Sequence, residues 1–216
     1  MIPKMSEDAM LYQEDKSIVA NTDGIIQFKI VYWGPGQAGK TTNFHRLKEI
    51  FDLVRISKGY SIETTDGRTL WQDAMFLSYK LTLGDVRLAL IVQVVTCTGQ
   101  ERFLSTREYV LQGADGIVFV ADSGGDMMEQ NKRSFRELID TLKKKNLPFV
   151  VQLNKRDLEG AIPIESFKKQ LGLPLEEKYD DDTLVVYPAN AIKGDNVIAC
   201  FRDLMFQVLY NYLTGA

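Results

Sequence analysis

The run Gly34-Pro35-Gly36-Gln37-Ala38-Gly39-Lys40-Thr41 matches the pattern G-x₄-G-K-[ST]. Glycines at these places let a backbone wrap a chain of phosphates with successive N–H groups turned inward. A helix opening on Lys40 would add partial positive charge at its N-terminus. The Lys40 ammonium would then reach the β and γ phosphates, and the Thr41 hydroxyl would bind Mg²⁺. Gly34, Gly36, Gln37, Ala38, Gly39, Lys40, Thr41 and Thr42 are the candidate phosphate-binding residues, with Thr41 also a metal ligand. A glycine-rich turn without a ligand is the competing reading, and the strand-loop-helix setting weighs against it.

Such a loop holds ATP and GTP alike. Asn154-Lys155-Arg156-Asp157 separates them. Guanine presents N1–H and an exocyclic amine, and one carboxylate can accept both. Adenine offers neither. Asp157 is therefore the base-reading candidate, with Asn154 and the stem of Lys155 supporting the loop and the ring. Alone, this tetrapeptide could be a polar turn. Behind a phosphate loop, at the C-terminal end of an apolar strand, it lies where open α/β sheets bind ligands.

Elements able to position these residues are legible in the hydrophobic pattern. Ile26, Phe28, Ile30 and Tyr32 share one face of a strand leading into the loop. Phe44, Leu47 and Phe51 have helical spacing behind it. Residues 53–68 read as a long polar loop, of the kind that is usually functional or disordered. Residues 69–80 and 86–95 read as strands, with Leu83-Gly84-Asp85 closing an antiparallel hairpin. Gly116 to Ala121, Phe149 to Leu153 and Leu184 to Tyr187 are apolar runs suited to strands covered on both faces. Phe135, Leu138, Ile139 and Leu142 stripe one helix, and Val197, Phe201, Leu204, Val208 and Tyr212 stripe the last. The predicted fold is α/β: a P-loop domain with a mostly parallel six-stranded sheet, one antiparallel edge strand, and helices on both faces.

Composition narrows the class. A chain of 216 residues fits one domain, and 45% hydrophobic residues support a sizeable core. The net charge of −3 argues against nucleic-acid binding through bulk positive charge. Cys97 and Cys200, without a CxxC, predict two buried reduced thiols. The N-terminal residues carry no secretory pattern, and no stretch approaches the ~20 apolar residues of a membrane span. Residue 2 is not glycine and Cys200 is far from the end, so no lipidation is signalled. The expectation is a cytoplasmic protein with no direct membrane anchor, reaching a pole or a membrane only through partners. Residues 1–23 read as an N-terminal arm, either flexible or a short docking helix, and 24–216 as the domain.

The P-loop, Asn154-Lys155-Arg156-Asp157, and Pro188-Ala189-Asn190 after the next strand resemble the ordered motifs of Ras-superfamily small GTPases. The last is similar to their Ser-Ala-Lys base loop, which implies guanine contacts from Ala189 and Asn190, though its proline and asparagine depart from that pattern. A closer resemblance is to the MglA-like, bacterial gliding-motility branch. Tyr32-Trp33-Gly34-Pro35-Gly36 is similar to that family's Y-Y-G-P-G, and Arg68-Thr69-Leu70-Trp71-Gln72-Asp73 to its R-T-L-F-F-D. Thr96-Cys97-Thr98-Gly99-Gln100 is similar to its T-V-P-G-Q, and Gly116 to Ser123 to its strand and turn. The resemblance covers about residues 26–213.

It implies a G domain that binds GTP or GDP with Mg²⁺ and hydrolyses GTP slowly. Gln100 would orient the attacking water and Gly99 would sense the γ-phosphate. Arg68 would act in cis on the transition state, or else is a solvated loop arginine. Thr69 would be the first-switch threonine, touching phosphate and metal. Most small GTPases carry an aspartate where this chain has Thr96; Asp73 either restores that charge near the metal or is a plain structural aspartate. The resemblance also implies a Roadblock/LC7-type activating partner and a role in polarity or motility. A GTP-bound scaffold with little hydrolysis, and a P-loop ATPase or small-molecule kinase, are the alternatives.

Overall fold

The computed structural model describes residues 22–51, 62–63, 69–97, 109–143, 147–175 and 186–215. Among the described residues seven strands form one sheet: β1 (Gly24–Trp33), β2 (Ile62–Glu63), β3 (Thr69–Leu83), β4 (Val86–Cys97), β5 (Gly116–Asp122), β6 (Phe149–Asn154) and β7 (Val186–Pro188). Their spatial order is β2-β3-β4-β1-β5-β6-β7. Among the described residues, the α-helices that flank them are α1 (Lys40–Ile50), α2 (Met128–Leu142), α3 (Ile164–Leu171) and α4 (Val197–Thr214).

β1 pairs parallel with β4 and β5, and β5-β6-β7 continue parallel. β3 runs antiparallel to β4, joined by the tight turn Gly84-Asp85, where Gly84 takes φ +60°. The mostly parallel six-stranded sheet with one antiparallel strand is thus as the pattern predicts. A seventh strand adds to it: Ile62–Glu63 pairs outside β3, so β3 is not the outermost. Two residues within a polar stretch carry no periodicity, and only backbone pairing creates β2. The other residues of the predicted 53–68 loop, and the arm through residue 21, lie outside the described residues.

The alternation in β1 sorts two cores. Ile26, Phe28, Ile30 and Tyr32 pack with Phe44 and Leu47 of α1 and with Phe201, Leu204 and Val208 of α4. Val31 and Trp33 face the other way, among Phe135 and Leu138 of α2 and Phe167 of α3. All seven residues of β5 are buried, because both faces of the sheet are covered. α3 carries too short an apolar pattern to stand out in the sequence. Both cysteines are buried and in no disulfide, and burial pushes the Cys200 thiol pKa up.

This arrangement sets the site. From β1 the chain departs to β3 and β4 on one side and to β5, β6 and β7 on the other, which opens a crevice at the strands' C-terminal ends. Leu204, 0% exposed at the centre of the α4 face, anchors that helix to the sheet. Leu204→Ala should lower unfolding stability by about 2–5 kcal/mol, read as a reduced urea midpoint at unchanged slope.

Candidate functional site

The loop between β1 and α1 carries three left-handed residues, Gly34 (φ +149°), Gln37 (+63°) and Gly39 (+100°). Alternation of this kind makes a concave run of backbone N–H groups. A Cβ on Gly34 would lie 2.1 Å from the Val120 carbonyl oxygen, so the loop's entrance rests against β5. A Cβ on Gly39 would lie 2.2 Å from Asn154 Nδ2. α1 starts on Gly39 with no side chain capping it, which leaves its first N–H groups to face an anion. Lys40 is 6% exposed, and its Nζ donates to the carbonyls of Gly34 (2.9 Å) and Pro35 (2.6 Å). The ammonium is therefore folded back within the loop. Thr41 and Thr42 follow in the first turn of α1, partly buried.

The predicted base-reading residues end β6. Asn154 Nδ2 donates to the Ala38 carbonyl, and its Oδ1 accepts the Ala191 N–H, both at 2.9 Å. One buried amide thus ties the phosphate loop to the loop after β7. Lys155 is left-handed (φ +63°), and its Nζ lies 2.6 Å from Asp122 Oδ2. Asp122, at the end of β5, also accepts the Gly124 N–H at 2.9 Å. Arg156 donates from Nη1 to the Ile162 carbonyl at 2.6 Å, which folds the loop so that Asp157 is exposed.

The third predicted contact follows β7. The Ala189 N–H donates to the Leu153 carbonyl at 2.9 Å, and its C=O accepts the Arg156 N–H at 3.0 Å. Its N–H extends the β6–β7 ladder one residue past Pro188. Asn190 is buried, and its Oδ1 accepts the Lys193 N–H at 3.2 Å within its own turn. Arg46 of α1 braces this turn through the Ala191 and Ile192 carbonyls.

At the other edge, Thr96 is 0% exposed and stands in register between Tyr32 of β1 and Asp73 of β3. The β3–β4 register shifts between Trp71 and Asp73, a bulge beside the phosphate end. Thr69 opens β3 opposite Glu63. Arg68, Gly99 and Gln100 lie outside the described residues. Among the described residues no three His, Cys, Asp or Glu side chains converge on a point.

Sequence reasoning left out Asp122, Asn131, Asn43, Gln152 and Arg46. Asp122 was visible as the acidic end of an apolar strand. Asn131, which bonds the Asp122 backbone at both its N–H (3.0 Å) and its C=O (2.8 Å), had no signal at all. Gly34→Ala is expected to lower stability by more than about 2 kcal/mol, because neither the φ nor the Val120 carbonyl admits a methyl; a urea titration checks this.

Comparison with known proteins agrees with this geometry. The sequence model of the ADP-ribosylation factor family matches residues 78–208. The chain is 38% identical over 152 residues to the mutual gliding-motility protein MglA of Myxococcus xanthus, covering 68% of this chain and 76% of that protein. It is 28% identical over 196 residues to ADP-ribosylation factor-like protein 4C of Homo sapiens, covering 89% and 93%. To ADP-ribosylation factor-like protein 14 of Mus musculus it is 26% identical over 181 residues, covering 82% and 83%. With a phosphate loop and an Asn-Lys-x-Asp loop joined at one crevice, the chain belongs to the ADP-ribosylation factor family of the Ras superfamily, as an MglA-like small GTPase that binds and hydrolyses GTP.

Proposed function

We propose that this GTPase works with Mg²⁺ as a switch controlling cell polarity or surface motility, through partners that bind one nucleotide state. The likeness to the gliding-motility protein supports the biological role. One observation carries the site assignment: the Asn154 amide bonds the phosphate loop and the base loop at once, so the two form a single crevice.

In this reading the N–H groups of residues 36–41 and the Lys40 ammonium hold the phosphates, and the bonds from Lys40 to Gly34 and Pro35 yield to phosphate oxygens. Asp157 accepts from guanine N1–H and N2, and the Lys155 stem, pinned by Asp122, flanks the ring. Thr41, with Thr69 from the first switch, would hold Mg²⁺, which when bound neutralises charge on the β and γ phosphates. Asp73 supplies the carboxylate that Thr96 lacks. The cross-strand pairing of these two residues supports that assignment.

Gln100 orients the attacking water and Arg68 supports the transition state in cis, with Gly99 at the γ-phosphate. Phosphoryl transfer is positioning plus charge stabilisation, so these residues act on rate more than on affinity. A Roadblock/LC7-type protein is the proposed activator. No helix among the described residues is long and apolar enough to cross a membrane. We place the protein in the cytoplasm, reaching a pole or membrane through partners.

Purified protein in magnesium buffer should keep labelled GTP against a large excess of ATP. Asp157→Ala should erode that preference by on the order of 10²-fold, and equal competition by ATP in the wild type would overturn the guanine assignment. In single-turnover assays, Gln100→Ala and Arg68→Ala should each slow hydrolysis by on the order of 10²-fold or more with GTP affinity kept. Equal rates in all three proteins would remove both catalytic assignments.

A further inference from the structure

Two amide side chains lie buried beneath the phosphate loop, outside the ordered motifs. Asn43 on α1 and Gln152 on β6 are both 0% exposed. Gln152 Nε2 donates to Asn43 Oδ1 at 2.9 Å, and Asn43 Nδ2 donates to the Gly39 carbonyl at 2.9 Å. The same carbonyl accepts the Asn43 backbone N–H at 3.0 Å, the first turn of α1.

Stability does not account for this pair. Gln152 Oε1 is buried with no hydrogen-bond partner among the described residues. A half-satisfied buried amide costs free energy, and replacing both partners by apolar groups of similar shape is close to neutral or stabilising.

Peptide geometry shows what the pair accomplishes. A trans peptide holds its N–H opposite its C=O. The Gly39 carbonyl points down α1, so the Lys40 N–H of the same plane points out of the helix end, into the loop. Asn43 locks that plane. The preceding plane is locked in the same way, because Asn154 Nδ2 holds the Ala38 carbonyl and thereby aims the Gly39 N–H. Gln152 and Asn154 are two residues apart on β6 and so share a face of the strand. Asn154 reaches the loop directly, and Gln152 reaches it through Asn43.

We propose that Asn43 and Gln152 are positioning residues for nucleotide binding, fixing the Gly39–Lys40 peptide so that its N–H stays aimed at the phosphates. With Asn154 they make β6 the common support of the phosphate and guanine loops. This rests on the phosphate-binding role given above to residues 34–41.

The test uses the full chain loaded with fluorescent GDP and chased with excess unlabelled GDP. Asn43→Leu/Gln152→Met should release nucleotide about tenfold faster, the worth of one neutral hydrogen bond, with the urea midpoint in EDTA unchanged or raised. Gln152→Met alone should release it about threefold faster, and it decides the matter should the double variant fail to fold. In either variant the ³¹P resonance of the bound β-phosphate should shift. Release within about twofold of wild type, or faster release with an unmoved resonance, overturns the proposal. Wild-type protein that holds no GDP overturns the parent reading as well, whereas wild-type binding with unaltered variants overturns this one alone.

Discussion

The site depends on one carboxamide. Asn154 is buried at the end of β6, donating to the Ala38 carbonyl and accepting from the Ala191 N–H. Only a group that carries both a donor and an acceptor in one plane can join two backbones this way. An aspartate could not donate and a lysine could not accept. The contact also constrains its partner: Nδ2 occupies the space that a Cβ on Gly39 would fill. Gly39 and Asn154 therefore require each other, although 115 positions separate residues 39 and 154. Loops from opposite parts of the chain become one crevice because this bond forms within a dry interior, where an unmade one would be costly.

Two lysines are held differently around that bond. Lys155 lies 2.6 Å from Asp122, a buried carboxylate, so its charge is matched. Lys40 donates to two carbonyls of the phosphate loop, beside the head of α1. Asp157 stands exposed at the base end. In the proposed reading Lys40 lies where the phosphates bind and Asp157 where guanine presents its donors. Thr96 is fully buried between β1 and β3, where an ionised carboxylate would suffer a large desolvation penalty. A neutral hydroxyl avoids that penalty.

The sequence alone determined the local features. Glycine spacing marked the loop between β1 and α1, alternation in residues 26–32 sorted the two faces of β1, and unbroken apolar runs announced strands covered on both sides. Each depends on chemistry within a few residues, and the structure places Gly34, Gly39, Lys40 and Asn154 accordingly.

Tertiary structure alone decided the rest, for two physical reasons. Backbone hydrogen bonds are blind to side-chain type, so neither the two-residue β2 nor the extension of the β6–β7 ladder that commits the Ala189 N–H could be read from composition. Buried amides such as Asn43 and Gln152 look like ordinary polar residues in a sequence, and only packing reveals that each lies within reach of a carbonyl or of the other. Residue types declare which bonds a chain is able to make; the fold selects which of them are made, by choosing what is removed from water together.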